Sequence, residues 1–356
     1  MTLKPLLQER IAHSGPMTIA DYMQDCLLHP EHGYYVAHEP FGAEGDFTTA
    51  PEISQMFGEL VGLSLAQCWL DQNRPAPFIL AELGPGRGTL MADILRATIG
   101  VPGFHEAAQI VLVEASSRLR GVQSQTLGAY APKWITDTSK LDDQPLFLVA
   151  NEFFDALPIR QFVRSATGWS ERLVGTSETQ ELIFGLGTQA AQPALTHRLT
   201  DTKDGDLVES CEAAPRIIQD ISARIARHGG AALLIDYGDW RSLGDTLQAL
   251  KNHAPVDPLA TPGHADLTAH VDFEVLANAA AHAGCKHSRL APQGVFLERL
   301  GITTRAQALA KGLSGPRLEN LIHAHRRLTH PEEMGNLFKV LGLFPAQGMP
   351  PPGLEP

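Results

Sequence analysis

Residues 78–83, Phe-Ile-Leu-Ala-Glu-Leu, run without a turn residue into Gly84-Pro85-Gly86-Arg87-Gly88, and a helical pattern begins at Thr89. An apolar strand that ends in alternating glycines and opens a helix has few ways to fold. The glycines allow a tight turn, let backbone approach a ligand, and aim helix N-terminal N–H groups at it. Around this element short β-like runs alternate with helical stretches, the pattern of parallel strands joined by crossover helices. Strands are expected at 78–83, 110–114, 146–150 and 231–236, and helices at 55–70, 89–99, 116–127, 214–227 and 271–283. The expectation is an α/β protein with a nucleotide-type pocket at the end of its first core strand.

The details of the loop select among nucleotides. Counting the dinucleotide fingerprint G-x-G-x-x-G from Gly84 puts Thr89 at the third glycine position, and counting from Gly86 puts Met91 there. No Lys follows the glycines, so the phosphate loop is absent too. Instead Glu82 stands two residues before Gly84. A pyrophosphate is badly served by a carboxylate at its mouth, whereas a cofactor carrying an ammonium and a sulfonium is well served. The next strand ends in Glu114, placed to accept hydrogen bonds from ribose hydroxyls, or to be an N-cap neighbour or a plain solvated carboxylate. A later strand runs into Asn151-Glu152-Phe153-Phe154-Asp155, a polar cluster at the strand end where open α/β sheets bind ligands. Phe153 and Phe154 as core and Asp155 as a turn residue is the blander account. Asp46-Phe47-Thr48-Thr49 precede Glu52, and Thr49-x-x-Glu52 fits a capping box with Pro51 in the first turn, which leaves Asp46 and Phe47 to be explained.

Composition excludes other classes. Of 356 residues 44% are hydrophobic and 19% charged, a folded rather than disordered balance. The net charge of −12, from 28 basic and 40 acidic residues, lacks the basic footprint of nucleic-acid binding. No apolar run is long enough for a membrane span, and the N-terminus does not read as a signal peptide, so the expected location is cytoplasmic. Cys26, Cys68, Cys211 and Cys285 are scattered without a C-x-x-C pair and read as reduced, mostly buried thiols, and the histidines have no metal-ligand spacing. The expected organisation is an N-terminal helical extension and cofactor-covering loop at 1–75, a first core segment at 76–157, a β-rich insertion at 158–212, a second core segment with substrate-side elements at 213–344, and a disordered Pro/Gly-rich tail at 345–356. Apolar helices in the N-terminal block suit either the core or a homodimer face.

Taken together, GPMTIADYMQDCLLHPEHGYY (15–35), GDFTTAPEISQMFGELVG (45–62), ELGPGRGTL (82–90), VEASSRLR (113–120), NEFFDALP (151–158), IDYG (235–238), PGHADLTAHVDF (262–273) and GVFLERLGI (294–302) closely resemble the MidA-like family of S-adenosylmethionine-dependent methyltransferases. The resemblance implies a Rossmann-like class I methyltransferase sheet and S-adenosylmethionine as cofactor. It implies that Gly84, Gly86 and Gly88 line the cofactor, that Glu114 holds its ribose, and that the loop with Asp46, Phe47, Thr48 and Thr49 closes over it, with Glu82 and Asn151 beside it. The family includes a mitochondrial complex I assembly factor that methylates an arginine, so the implied partner is a protein substrate, a respiratory complex I subunit among them. Mitochondrial members carry a targeting segment, and this chain starts almost at the first matching block, which suggests a bacterial or mature form.

Methyl transfer from a sulfonium needs alignment and exclusion of water rather than a metal. An arginine acceptor stays protonated, so carboxylates must orient it and draw its charge away from the reacting nitrogen. Glu152, assisted by Asp155 or Asp46, is the expected grip; the competing account has Glu152 hydrogen-bonding the cofactor or a helix N-terminus. Asp236 and Tyr237 are second candidates, with strand-end capping as their alternative. Two other classes remain: a non-catalytic assembly factor binding a partner through 158–211, and a nicotinamide-dependent oxidoreductase, against which Glu82 and the absent third glycine speak. No G-x-S-x-G elbow supports a hydrolase.

Overall fold

The computed structural model describes residues 2–37 and 49–356. They form two compact units, one from the described residues of 48–154 with 215–240 and 271–356, the other from those of 1–47 with 155–214 and 241–270.

The first unit is built on strands that are apolar on both faces. Phe78–Leu83 and Leu146–Asn151 are buried at every position, as parallel strands covered by helices on both sides must be. Its main strands in chain order are Phe78–Leu83, Ala108–Val113, Lys133–Ile135, Leu146–Asn151, Gly230–Asp239, Cys285–His287 and Phe338–Pro345. Counted in that order they lie 3-2-1-4-5-7-6 across the sheet. The seventh runs antiparallel to both neighbours and the others are parallel. This is the dinucleotide-binding order with one strand slipped in before the last. Phe78–Leu83 and Leu146–Asn151 pair directly where the winding reverses, so their carboxyl ends border the crevice in which such sheets bind ligands.

Helix Gln55–Asp71 lies tightly on helix Thr89–Thr98. A Cβ on Gly58 would stand 2.6 Å from Asp93 Cβ, and one on Gly62 would stand 2.8 Å from Ile94 Cα. Glycines one turn apart therefore set the spacing of these helices. Beneath them Trp69, Phe78, Phe104 and Phe147 meet edge-on, with ring centroids 5.3 Å apart for both Trp69–Phe104 and Phe78–Phe147. Such pairs add about 0.5–1.5 kcal/mol each beyond the area they bury.

The C-terminal segment corrects the expectation of a disordered tail at 345–356. Phe338–Pro345 is an internal strand, flanked by Gly230–Asp239 and Cys285–His287. Beyond it Leu354 is buried in the core, Ser64 Oγ donates to Pro352 O at 3.0 Å, and Arg289 N donates to Glu355 O at 2.9 Å. Prolines stop the strand from continuing, yet they do not stop an extended segment from packing.

In the second unit Met17–Thr18, Gly168–Thr176, Arg160–Ser165 and Leu207–Ser210 lie side by side in that order, and Leu182–Ala190 also pairs with Gly168–Thr176. A three-stranded sheet orders Ala254–Val256, Gln248–Lys251 and Asp266–Thr268. Helices Leu3–Ser14 and Ile19–Leu28 bury Leu3, Leu7, Ile11, Ile19, Met23 and Leu27 in one core with Ile159, Val174, Leu182 and Leu267. Their apolar stripe is thus core rather than a subunit face. The boundaries differ from those expected at 75, 158 and 212 because the pairings are distant in sequence. Met17 pairs with Val174, which joins the N-terminus to the β-rich segment, while Gln55–Asp71 packs with the first unit. Cys26, Cys68 and Cys285 are buried free thiols and Cys211 is half-buried. No helix among the described residues is long and apolar enough to cross a membrane.

Leu354→Ala is expected to lower the unfolding free energy by about 2 kcal/mol. Urea denaturation checks it, and an unchanged midpoint would deny the C-terminal segment a packing role.

Candidate functional site

The glycine loop turns as its composition demands. Gly84, Gly86 and Gly88 have φ of 57, 52 and 83, in the left-handed region that a Cβ disfavours. Gly84 N donates to Val113 O at 3.0 Å and Gly88 N to Pro85 O at 2.7 Å. A Cβ on Gly84 would come within 2.9 Å of Phe153 Cδ2, so the loop abuts the turn that follows Leu146–Asn151.

Glu82 sits one residue before the end of its strand and is 3% exposed. Burial pushes its pKa from 4.5 up to about 8; a hydrogen bond from the Met91 backbone opposes the shift, and nearby Glu114 adds to it. Glu82 Oε2 and Asn151 Oδ1 are buried with no hydrogen-bond partner among the described residues. Leaving such atoms unpaired costs about 1–3 kcal/mol each. Both residues lie at the carboxyl ends of the strands where the winding reverses, so this end of the sheet is built for a ligand that donates hydrogen bonds or carries positive charge.

Glu114 follows directly on Ala108–Val113. Its Oε1 accepts from Ser116 N at 2.7 Å and its Oε2 from Gln123 Nε2 at 3.1 Å. Burial raises its pKa, and the Ser116 and Gln123 donors work against that rise. Gln123 also donates to Gly86 O at 2.8 Å, so one amide serves both the glycine loop and this carboxylate. No motif in the sequence marks Gln123.

The turn after Leu146–Asn151 is held under strain. Glu152 has φ 52, unusual outside glycine. The surroundings impose it: Glu152 N donates to Ile235 O at 2.9 Å, and Asp236 Oδ2 accepts from Phe153 N at 3.2 Å and Phe154 N at 2.9 Å. Asp236 Oδ1 accepts from Tyr237 N at 3.0 Å; since the strand runs on to Asp239, Asp236 does not end it but braces the neighbouring turn. Tyr237 stacks edge-on against Phe338 at 5.5 Å. Glu152 Oε1 accepts from Asn151 Nδ2 at 2.9 Å and from Ala50 N at 3.1 Å, at the first residue of the helical turn Ala50–Ile53.

Thr49 precedes that turn, and the capping box expected there is corrected. The Thr49 side chain makes no capping bond, and Glu52 Oε1 accepts from Thr89 Oγ1 at 2.6 Å instead. The Thr89 hydroxyl, at the start of the helix after the glycine loop, outcompetes a local backbone N–H. This is a second contact with the loop that local patterning hid.

Asp155 falls in the other unit. It is buried, its carbonyl accepts from Ala269 N at 2.9 Å, and in the same unit Tyr35 Oη donates to Asp266 Oδ1 at 2.9 Å. Burial, then Asp266 and Asp155, drive the Tyr35 pKa upward. The unit boundary therefore cuts the Asn151-to-Asp155 cluster between Phe154 and Asp155. Asp46, Phe47 and Thr48 lie outside the described residues. Glu82, Gly84, Gly86, Gly88, Glu114, Asn151 and Glu152 all belong to the first unit. Among the described residues no group of three or more His, Cys, Asp or Glu side chains is arranged to hold a metal.

Residues 60–291 match a family profile described as "Putative S-adenosyl-L-methionine-dependent methyltransferase". The chain is 36% identical to "Protein arginine methyltransferase NDUFAF7, mitochondrial" of Bos taurus, over 97% of this chain and 85% of that protein. The Homo sapiens protein of the same name is also 36% identical, over 96% of this chain and 83% of its own length. A Burkholderia thailandensis protein, described as a COG1565 superfamily member and likely methyl transferase bound to S-adenosyl-homocysteine, superimposes with a TM-score of 0.81 at 29% identity, covering 96% of this chain and 91% of that one. These findings correct the expected cytoplasmic location, because the curated relatives are named as mitochondrial proteins.

Glu82 makes stability pH-dependent with a definite sign. Its folded pKa exceeds 4.5, so between 4.5 and about 8 the folded state binds more protons than the unfolded state. Stability is then greatest below that window and falls as pH rises through it. Urea denaturation of the ligand-free protein at the two ends of the window should show a loss of about 4 kcal/mol that Glu82→Gln removes. Superimposable pH profiles would clear Glu82 as the source.

Proposed function

The chain belongs to the family of S-adenosylmethionine-dependent methyltransferases and uses that cofactor, and from this premise we propose that it methylates an arginine side chain of a protein. The buried Glu82 oxygen, without a hydrogen-bond partner among the described residues, carries the reading on the cofactor side. The names of relatives 36% identical over nearly the whole chain support arginine as the acceptor.

The residues suit the cofactor chemically. Glu82 would take up its positive charge, and Glu114, already oriented by Ser116 and Gln123, would accept from the ribose hydroxyls. Gly84, Gly86 and Gly88 would admit it close to backbone, with Asn151 Oδ1 accepting one further hydrogen bond. When bound, S-adenosylmethionine supplies a methyl group made electrophilic by its sulfonium. The chain's own part is to place a nucleophile in line and to keep water out.

A guanidinium is protonated at any working pH, so its reacting nitrogen must be relieved of charge before it attacks. Glu152 is the proposed grip. Its carboxylate is oriented by Ala50 N and Asn151 Nδ2 on a turn that Asp236 holds rigid, and an oriented carboxylate draws the guanidinium charge toward the nitrogens it binds. Asn variants of Asp155 and Asp46 test whether either acid assists Glu152. A respiratory complex I subunit is the finer proposal for the acceptor protein.

Incubation with methyl-labelled S-adenosylmethionine and a mitochondrial or bacterial membrane extract should yield label on protein, recovered as methylarginine after hydrolysis. Gly86→Val should abolish both cofactor binding and transfer. Glu152→Gln should keep cofactor binding and lose roughly 100-fold in transfer rate. Near wild-type transfer by Glu152→Gln would overturn the grip, and cofactor binding without any transfer would favour the non-catalytic assembly factor.

A further inference from the structure

Gln123 is fully buried and its amide meets three partners. Nε2 donates to Gly86 O at 2.8 Å and to Glu114 Oε2 at 3.1 Å, while Oε1 accepts from Trp134 Nε1 at 2.8 Å. An indole N–H can only donate, so the amide oxygen must face Trp134 and both amide hydrogens are left for the two acceptors. The reverse orientation would set the amide oxygen against a carbonyl and a carboxylate and turn its N–H groups toward another donor. Trp134 lies on the strand Lys133–Ile135 in register with Leu112, two residues before Glu114. The indole is therefore placed by the sheet rather than by the loop it helps to orient.

We infer that Gln123 is a positioning residue for the cofactor, locking the Gly86 carbonyl and the Glu114 carboxylate into one arrangement, and that Trp134 sets the sense of its amide. The inference rests on the reading that Glu114 holds the ribose. Glu114 is also faced by Ser116 and Ala115 backbone N–H groups and by Arg120, all of which favour its charged form, and it lies near Glu82. Arg120 spends its side chain on the Glu114 carbonyl, donating from Nε at 2.9 Å. Gln123 is the side-chain donor on the carboxylate itself among the described residues. Losing that donor makes Glu114 easier to protonate, and a protonated Glu114 accepts less well from a diol.

Calorimetric titration with S-adenosylhomocysteine across mildly acidic to mildly alkaline pH tests this on the wild type, Glu114→Gln, Gln123→Met, Trp134→Phe and the Gln123→Met/Trp134→Phe double variant. Gln123→Met should weaken binding about tenfold at neutral pH and shift the acid-side loss of affinity to higher pH. Trp134→Phe should move both readings the same way by a smaller factor. The double variant should bind no worse than Gln123→Met alone, since the indole acts through the amide. Weakened binding by Glu114→Gln with wild-type affinity and pH profile in Gln123→Met would overturn the inference and leave the ribose reading standing. Additive losses in the double variant would overturn the role given to Trp134. Wild-type affinity in Glu114→Gln would remove the ribose reading and this inference with it. Should Gln123→Met fail to fold, Trp134→Phe with an unchanged pH profile still overturns the inference.

Discussion

Glu82 stands in register between Leu112 and Val149, a carboxylate inside a sheet that is apolar on either side of it. Water has been stripped from it, and among the described residues its Oε2 has no hydrogen-bond partner. A group in that state prefers to be neutral, or to meet a cation that replaces the lost water. The surrounding architecture follows from serving that need. The strand must stop one residue later, the chain must reverse through glycines at φ of 57, 52 and 83, and the next helix must start at once. A second carboxylate, Glu114, arrives from the adjacent strand, where burial raises its pKa and donors aimed at it oppose that rise. The two acids lie close but have different settings, one with an oxygen that no described residue pairs and the other with both oxygens satisfied.

The core of the fold could be read from the chain because buried parallel strands are written as unbroken apolar runs. The strand expected at 78–83 is Phe78–Leu83, and the helix expected at 116–127 is Ser117–Leu127. Phe338–Pro345 escaped because its glycine and terminal proline, followed by more prolines, look like a linker when read locally. Its strand character comes from lying between two partners, which no window of sequence contains. The smaller unit escaped for a related reason, being assembled from three separate stretches whose pairings, such as Met17 with Val174, span most of the intervening chain.

The candidate site divides along the same line. Residues recognisable by local pattern, the glycines, Glu82 and Glu114, occupy the strand ends where such patterns place them. Those whose part is to hold others were silent. Gln123 is an ordinary helical glutamine until the fold brings Gly86 and Trp134 to it, and Asp236 reads as a strand-end acid until it captures Phe153 N and Phe154 N. Glu152 was legible only by its residue type and strand-end position, while its φ of 52 and its bond to Ala50 N are facts of tertiary structure. Local strain of this kind persists only where neighbours over-determine it.

The antiparallel strand Phe338–Pro345 also bears on how the protein is made. It is flanked on both sides within the sheet, yet it follows every other strand of that sheet in the chain. Until it emerges, Gly230–Asp239 has an open edge and Cys285–His287 has no sheet to join. The methyltransferase core therefore cannot close progressively as it is synthesised, although domains otherwise fold from the N-terminus onward. A nascent chain must hold an unfinished hydrophobic sheet until residue 345 has emerged, and a premature stop anywhere before residue 338 leaves a gap in the sheet rather than a shortened end.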